Sequence, residues 1–174
     1  MSAQRFEGKV AIVTGGSMGI GRATALQLAR EGAQVIACAR RMPRLDSLGD
    51  EIAAFDGKFK GVELDIGDID AFAQLISDTA NKYGRLDILV NNAPTVIGGM
   101  ILDQNIEDWR ANFGVCVESV FIGVQAALRV MQPQGCGSII NISSVSSLRA
   151  GLAAGAYSAA KAAGSSSSRI HRPF

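Results

Sequence analysis

Histidine is almost missing from this sequence, with His171 the single example in 174 residues. A histidine-based triad or metal cluster is therefore not expected. Cysteine is also scarce. Cys38, Cys116 and Cys136 are an odd number at wide spacings, which matches neither a disulfide framework nor a zinc pattern. Neither sign of charge is in excess: Lys and Arg total 17 against 16 for Asp and Glu, leaving a formal net charge of +1. That balance gives no electrostatic case for nucleic acid or an anionic membrane. Long apolar runs are lacking too. The N-terminus offers only Val10-Ala11-Ile12-Val13 before Thr14, too short for a signal segment. No run approaches the roughly 20 apolar residues of a membrane span. A cytoplasmic protein is expected, without metal, nucleic-acid or membrane partners.

What is present is strict alternation of short apolar runs and amphipathic stretches. Residues 9–14 read as a strand buried on both faces, and 33–38, 60–65, 86–91 and 138–143 as four more. Between them, 19–31 predicts a helix with Gly21, Ala25, Leu28 and Ala29 on one face. Helices over 44–55 and from Asp68 to Gly84 follow, with Asp68 as N-cap of the clearer one. A long helix lies within 106–131, and another starts near Tyr157. Such alternation implies right-handed crossovers and one α/β domain, a Rossmann-type doubly wound parallel sheet. The expected strand order is 3-2-1-4-5. From Gly164 onward, GSSSS and RIHRPF show no apolar period, so 164–174 is expected to be a disordered tail.

Thr14-Gly15-Gly16-Ser17-Met18-Gly19-Ile20-Gly21 joins the first strand to the first helix. Gly15 reaches backbone angles closed to other residues, Gly19 lets a pyrophosphate approach, and Gly21 lets helix pack on strand. The helix N-terminus adds free N–H groups and partial positive charge. Further along, Cys38-Ala39-Arg40-Arg41 has no acid where a ribose 2′-hydroxyl would be held. Arg40 instead suits a 2′-phosphate, which favours NADP(H) over NAD(H).

With these residues in view, the chain resembles the short-chain dehydrogenase/reductase family from its first strand to about Ala163. Thr14-Gly15-x-x-x-Gly19-Ile20-Gly21 matches the family's TGxxxGIG, Asp65-Ile66 its acidic position at the adenine, and Asn91-Asn92-Ala93 its NNAG. Ser144 precedes Tyr157 by 13 residues, and Tyr157-x-x-x-Lys161 is the YxxxK signature. The resemblance implies cofactor contacts from Thr14, Gly15, Ser17, Met18, Gly19, Ile20, Gly21, Arg40, Asp65, Ile66, Asn92, Ala93, Tyr157 and Lys161. It also implies catalysis by Ser144, Tyr157 and Lys161, a small carbonyl or secondary-alcohol substrate, and a homodimer or homotetramer. A complete member would add two further strands, so 1–163 is expected to be an NADP-binding domain that lacks the last part of the fold.

The residue chemistry agrees. A tyrosine hydroxyl ionises near pH ~10, too high for proton cycling at neutrality. Lys161 lies one helical turn from Tyr157, and an ammonium beside a phenol favours the phenolate. Ser144, at a strand's carboxyl end, can hydrogen-bond a carbonyl oxygen as charge develops there.

Three departures stand out. Pro94 follows Ala93 where the family has glycine. Counting seven from Trp109 puts Cys116 where the family carries a catalytic asparagine, with Asn112 one turn earlier as a partial substitute. The third is the early end of the resemblance. These departures keep a second reading open, that of a catalytically impaired nucleotide-binding or interaction fragment.

Overall fold

The computed structural model describes residues 4–167. Its strands are β1 (Val10–Thr14), β2 (Gln34–Ala39), β3 (Lys58–Glu63), β4 (Ile88–Asn91) and β5 (Ser138–Asn141). All four neighbour pairs run parallel, and the order is β3-β2-β1-β4-β5. The sheet order is thus the expected one. Chain order reverses between β1 and β4, which opens a crevice at their carboxyl ends.

The helices are α1 (Gly19–Arg30), α2 (Met42–Ala53), α3 (Ile69–Tyr83), α4 (Ile106–Phe113), α5 (Ser119–Gln134) and α6 (Gly155–Ser167). Side chains of a strand point alternately to opposite faces, and the two cores divide along that alternation. Ala11, Val13, Val35 and Ala37 pack under α1 and α2 with Leu28, Leu45, Leu48 and Ile52. Val10, Ile12, Ile36 and Cys38 pack under α3 and α5 with Phe72, Ile76, Ala127 and Met131. The stripe anticipated on α1 is the one buried: Gly21, Ala25, Leu28 and Ala29. On α3, the Asp68 side chain accepts from Ala71 N at 3.0 Å, and Gly84 closes the helix with φ 73°. Both ends follow from side-chain chemistry and glycine's freedom at positive φ.

Ends of β1 and β4 are tied together by charge. Asp87 accepts from Val10 N at 3.0 Å, Lys9 Nζ at 3.2 Å and Arg85 Nε at 2.7 Å. Burial pulls the Asp87 carboxyl upward, but Arg85, the Val10 N–H and Lys9 together outweigh it and hold it below its ordinary range.

Two expectations need correction. The first is the tail. α6 does not stop at Ala163 but runs through Gly164 to Ser167. Ser165 and Ser166 donate back to Lys161 O at 2.8 Å and Ala162 O at 3.1 Å, a bond that lets a hydroxyl side chain sit inside a helix. Gly164 is a packing residue, since a Cβ there would come 2.5 Å from Cys116 O. Residues 168–174, with His171, lie outside the described residues.

The second correction concerns length. The segment from Ile106 to Gln134 is one continuous helix of 29 residues, long and apolar enough by length and composition to cross a membrane. Polar residues such as Glu118, Ser119 and Gln125 interrupt its apolar residues, so no single apolar run marks it in the sequence. Here it lies against the sheet and α3, with Gly123, Ala127 and Met131 buried.

Candidate active site

The glycine turn sits at the crevice and is built from below. Thr14 Oγ1 accepts from Asn92 N at 2.9 Å and Ala93 N at 3.0 Å, and donates to Val90 O at 3.4 Å. Asn92 Nδ2 donates to Thr14 O at 2.9 Å and Gly15 O at 3.4 Å. These bonds fix the turn relative to β4. No side chain larger than hydrogen fits here. A Cβ on Gly15 would meet Ala93 Cα at 2.9 Å, and one on Gly21 would meet Asn92 Nδ2 at 2.4 Å.

Gly19 is different. Its φ is +55°, yet a Cβ there would touch nothing within 4 Å, so the space above it is open. Met18 provides no side-chain cap for α1. An uncapped helix N-terminus facing open space is a site for anionic oxygens, and it fits a pyrophosphate.

That space belongs to a cleft of about 530 Å³ along the carboxyl rim of the sheet. Of the expected cofactor residues, Gly15, Ser17, Met18, Gly19, Ile20, Arg40, Asp65, Ile66, Asn92, Ala93, Tyr157 and Lys161 line it. Thr14 and Gly21 lie beneath, shaping the turn. Ser144 does not reach the wall: its hydroxyl accepts from Ser146 N at 3.1 Å and caps a short 3-10 turn, Val145–Ser147. The neighbouring Ser143 lines the cleft, and its hydroxyl bonds Ser147 Oγ at 3.2 Å.

The structure brings in residues that the motifs did not name. Thr95 and Ile142 form wall, and Arg41 lines the cleft beside Arg40. Arg41 and Arg44 both approach the Met18 sulfur, at 3.9 and 3.2 Å. Only the clustering of Arg40, Arg41 and Arg44 in sequence hinted at this basic corner.

Lys161 is buried in the wall. Its Nζ donates to Ile142 O at 2.8 Å and lies 6.0 Å from the centre of the Tyr157 ring. Burial pushes its ammonium below the ordinary lysine range, and Cys116 nearby acts in the opposite sense. Cys116 itself is buried and donates to Thr95 O at 3.5 Å. It belongs to a π-helical turn, Gly114–Glu118, between α4 and α5. Such widened turns recur at functional sites.

Asn112 does not substitute for an asparagine at Cys116. Its Nδ2 donates to Ile97 O at 3.0 Å and Asp108 O at 2.9 Å, and its Oδ1 accepts from Ile97 N at 3.3 Å. Fully buried, it is committed to the loop after β4.

Comparison with known proteins decides the family. Residues 9–171 match the family model described as short chain dehydrogenase. The chain belongs to the short-chain dehydrogenase/reductase family. The family's members bind NAD(P). A 3-oxoacyl-(acyl-carrier-protein) reductase of Thermotoga maritima is 39% identical over 158 residues, covering 91% of this chain and 64% of the relative. A meso-2,3-butanediol dehydrogenase of Serratia marcescens is 34% identical, covering 91% of this chain and 62% of its own length. Among solved structures, a Mycobacterium marinum short-chain dehydrogenase/reductase superposes with TM-score 0.85 at 34% identity, over 92% of this chain and 66% of that one. A structure from Beutenbergia cavernae, named as an NAD(P)-dependent gluconate 5-dehydrogenase with NADP bound at low occupancy, gives TM-score 0.86 at 31% identity, over 93% of this chain and 64% of that one. The chain thus spans less than two thirds of the length of these relatives.

Proposed function

We propose that this short-chain dehydrogenase/reductase chain transfers hydride between NADP(H) and a carbonyl or secondary-alcohol substrate. The observation that carries the reading is a shared wall: the Lys161 ammonium, 6.0 Å from the Tyr157 ring, lines the same cleft as the open turn at Gly19. Bound dinucleotide would supply or accept the hydride, held by the α1 N-terminus, Asp65 and the Asn92-Ala93 segment.

The chain's own groups handle the proton. Tyr157 donates it to the carbonyl oxygen during reduction and removes it during oxidation. Lys161 stabilises the phenolate electrostatically and is anchored by Ile142 O. Ser144 is the hydroxyl donor to the substrate oxygen; its oxygen accepts from Ser146 N, a bond that does not consume its O–H proton.

NADP(H) rather than NAD(H) is favoured by the basic corner. Arg40 follows β2 with no acid beside it in sequence, and Arg41 and Arg44 converge on Met18. Three guanidiniums suit a 2′-phosphate. We read the protein as a cytoplasmic homodimer or homotetramer. The fragment reading is retained on one observation, the thiol of Cys116 beside Lys161 where the resemblance calls for an amide.

The test is a dinucleotide titration followed by NADPH oxidation against a panel of ketones and aldehydes. Tyr157→Phe should bind NADPH as the parent does and reduce nothing. Near-normal turnover in that variant would refute the proton role, and NADPH binding without turnover in the parent would favour the fragment.

A further inference from the structure

A second cavity, of about 250 Å³, opens between α3 and β3, apart from the glycine turn. Its origin is the placement of the helices. On one face of the sheet α2 packs over β3, whereas on the other α3 leans on α5 and leaves the edge strand partly uncovered. Alternation along the chain turns Lys60, Val62 and Leu64 to that uncovered side. Val62 and Leu64, with Ile36 of β2 and Leu75 of α3, give the cavity apolar walls. Leu64 is also wall of the larger cleft, so one side chain separates the two spaces.

Polar groups set this cavity apart from a gap in packing. Thr79 is 4% exposed and lines it, yet the Thr79 hydroxyl makes no hydrogen bond among the described residues. A hydroxyl so deeply placed ordinarily has a partner, and a ligand oxygen would supply one. Lys60 and Lys82 line the cavity as exposed residues and form no ion pair among the described residues. Lys82 lies 5.2 Å from the centre of the Tyr83 ring. Asp78 is the one acid on the lining, and its Oδ1 already accepts from Gln74 Nε2 at 2.7 Å. The mouth is therefore positive, with two ammoniums against one carboxylate. Apolar walls with a few polar groups at one end are the build of a small-molecule site.

From these residues we infer a second small-molecule site, one that takes a monocarboxylate with a short, unbranched apolar body. The body lies against Ile36, Val62, Leu64 and Leu75. The carboxylate meets Lys60 and Lys82 at the mouth, with the Thr79 hydroxyl as a neutral donor. A volume of about 250 Å³ holds roughly eight groups the size of a water molecule, so a tail of about seven carbons fills it. The inference is independent of hydride transfer.

The experiment titrates the chain with butanoate, hexanoate, octanoate and decanoate, following backbone amide signals by NMR. 1-Octanol is the uncharged arm. Shifts should centre on Val62, Leu75 and Thr79, with octanoate bound at about 1 mM or tighter. Affinity should rise roughly two- to fourfold per added methylene up to octanoate and then level off as the cavity fills. Lys60→Gln combined with Lys82→Gln should weaken octanoate by about tenfold, the worth of a charge-assisted hydrogen bond, and leave 1-octanol unchanged. Thr79→Val, close in shape, should weaken octanoate by roughly two- to tenfold. Thermal melts check that both variants fold, and a lower melting temperature for Thr79→Val would mean that the hydroxyl serves the fold and not a ligand. Saturating NADPH should not displace octanoate, because Leu64 stands between the two spaces.

Competition with NADPH, or shifts centred on Gly19 and Arg40, would put the carboxylate in the larger cleft and overturn the inference. So would 1-octanol binding as tightly as octanoate, or no shift at Thr79 up to about 10 mM octanoate. A chain that binds octanoate beside Thr79 but no dinucleotide loses the hydride-transfer reading and keeps this site.

Discussion

Asn112 closes both backbone groups of Ile97: Nδ2 reaches the carbonyl at 3.0 Å and Oδ1 receives the N–H at 3.3 Å. One buried amide on α4 thereby sets the path of the loop that carries Pro94 and Thr95 into the cleft. Asn112→Ala removes both bonds and leaves the Ile97 N–H without its side-chain acceptor. A stability loss of roughly 1–3 kcal/mol is expected, with KM for the carbonyl substrate raised and NADPH affinity little changed. Equal weakening of both ligands would show that the loop serves the fold and not the substrate side.

The basic corner gives a cofactor prediction. The parent should bind NADPH over NADH by about tenfold or more, the worth of a charge-assisted hydrogen bond. Arg40→Asp should reverse the preference by repelling the 2′-phosphate and accepting from a 2′-hydroxyl. Equal affinities in the parent would remove the assignment of Arg40.

Cys116 gives a third. Its thiol donates to Thr95 O, acts electrostatically on Lys161 and offers little hydrogen-bonding capacity. Cys116→Asn should increase turnover with NADPH affinity unchanged. Overpacking of the buried turn is expected to lower stability by about 1–3 kcal/mol, so rates are compared well below the melting temperature. Unchanged or lower turnover would count against a role for an amide at this position.

Asp87 makes an acid-stability prediction. Its folded-state carboxyl titrates below the ordinary value of 3.8. The folded protein therefore binds fewer protons than the unfolded chain in the interval just below 3.8. The stabilisation is fully present above that pH and is lost as pH falls through the folded value. Asp87→Asn should lower stability at neutral pH by roughly 1.5–3 kcal/mol. The gap from the parent should narrow in urea melts taken below pH ~4, where the parent's carboxyl becomes protonated as well. A gap independent of pH would show that the carboxylate's charge is not what ties β1 to β4.

How much of this could be read from the sequence depends on how local the cause is. The α1 stripe, the Asp68 cap and the Gly84 stop follow from spacing and side-chain chemistry within one turn of chain, and the structure has them where the pattern put them. The doubly wound class followed from alternation and crossover handedness, and the strand order from the Rossmann type to which the glycine turn points. Contacts between distant segments were out of reach. Nothing in the spacing showed Asn112 turned to Ile97, Arg44 to Met18, or the widened turn at Cys116. The serine run misled for a local reason: composition reports that serine disfavours helix, whereas Ser165 and Ser166 bond back to the preceding turn.

Gly164 carries a final consequence. Tyr157 and Lys161 ride on α6, and α6 meets the π-turn where Gly164 faces the Cys116 carbonyl, with no room for even a methyl group. The height of Tyr157 and Lys161 above the sheet is thus set by the missing side chain of a residue three positions beyond Lys161. Any larger residue at 164 would lift the helix like a shim under a hinge, swinging the phenol away from the glycine turn while every group in the cleft stayed chemically intact.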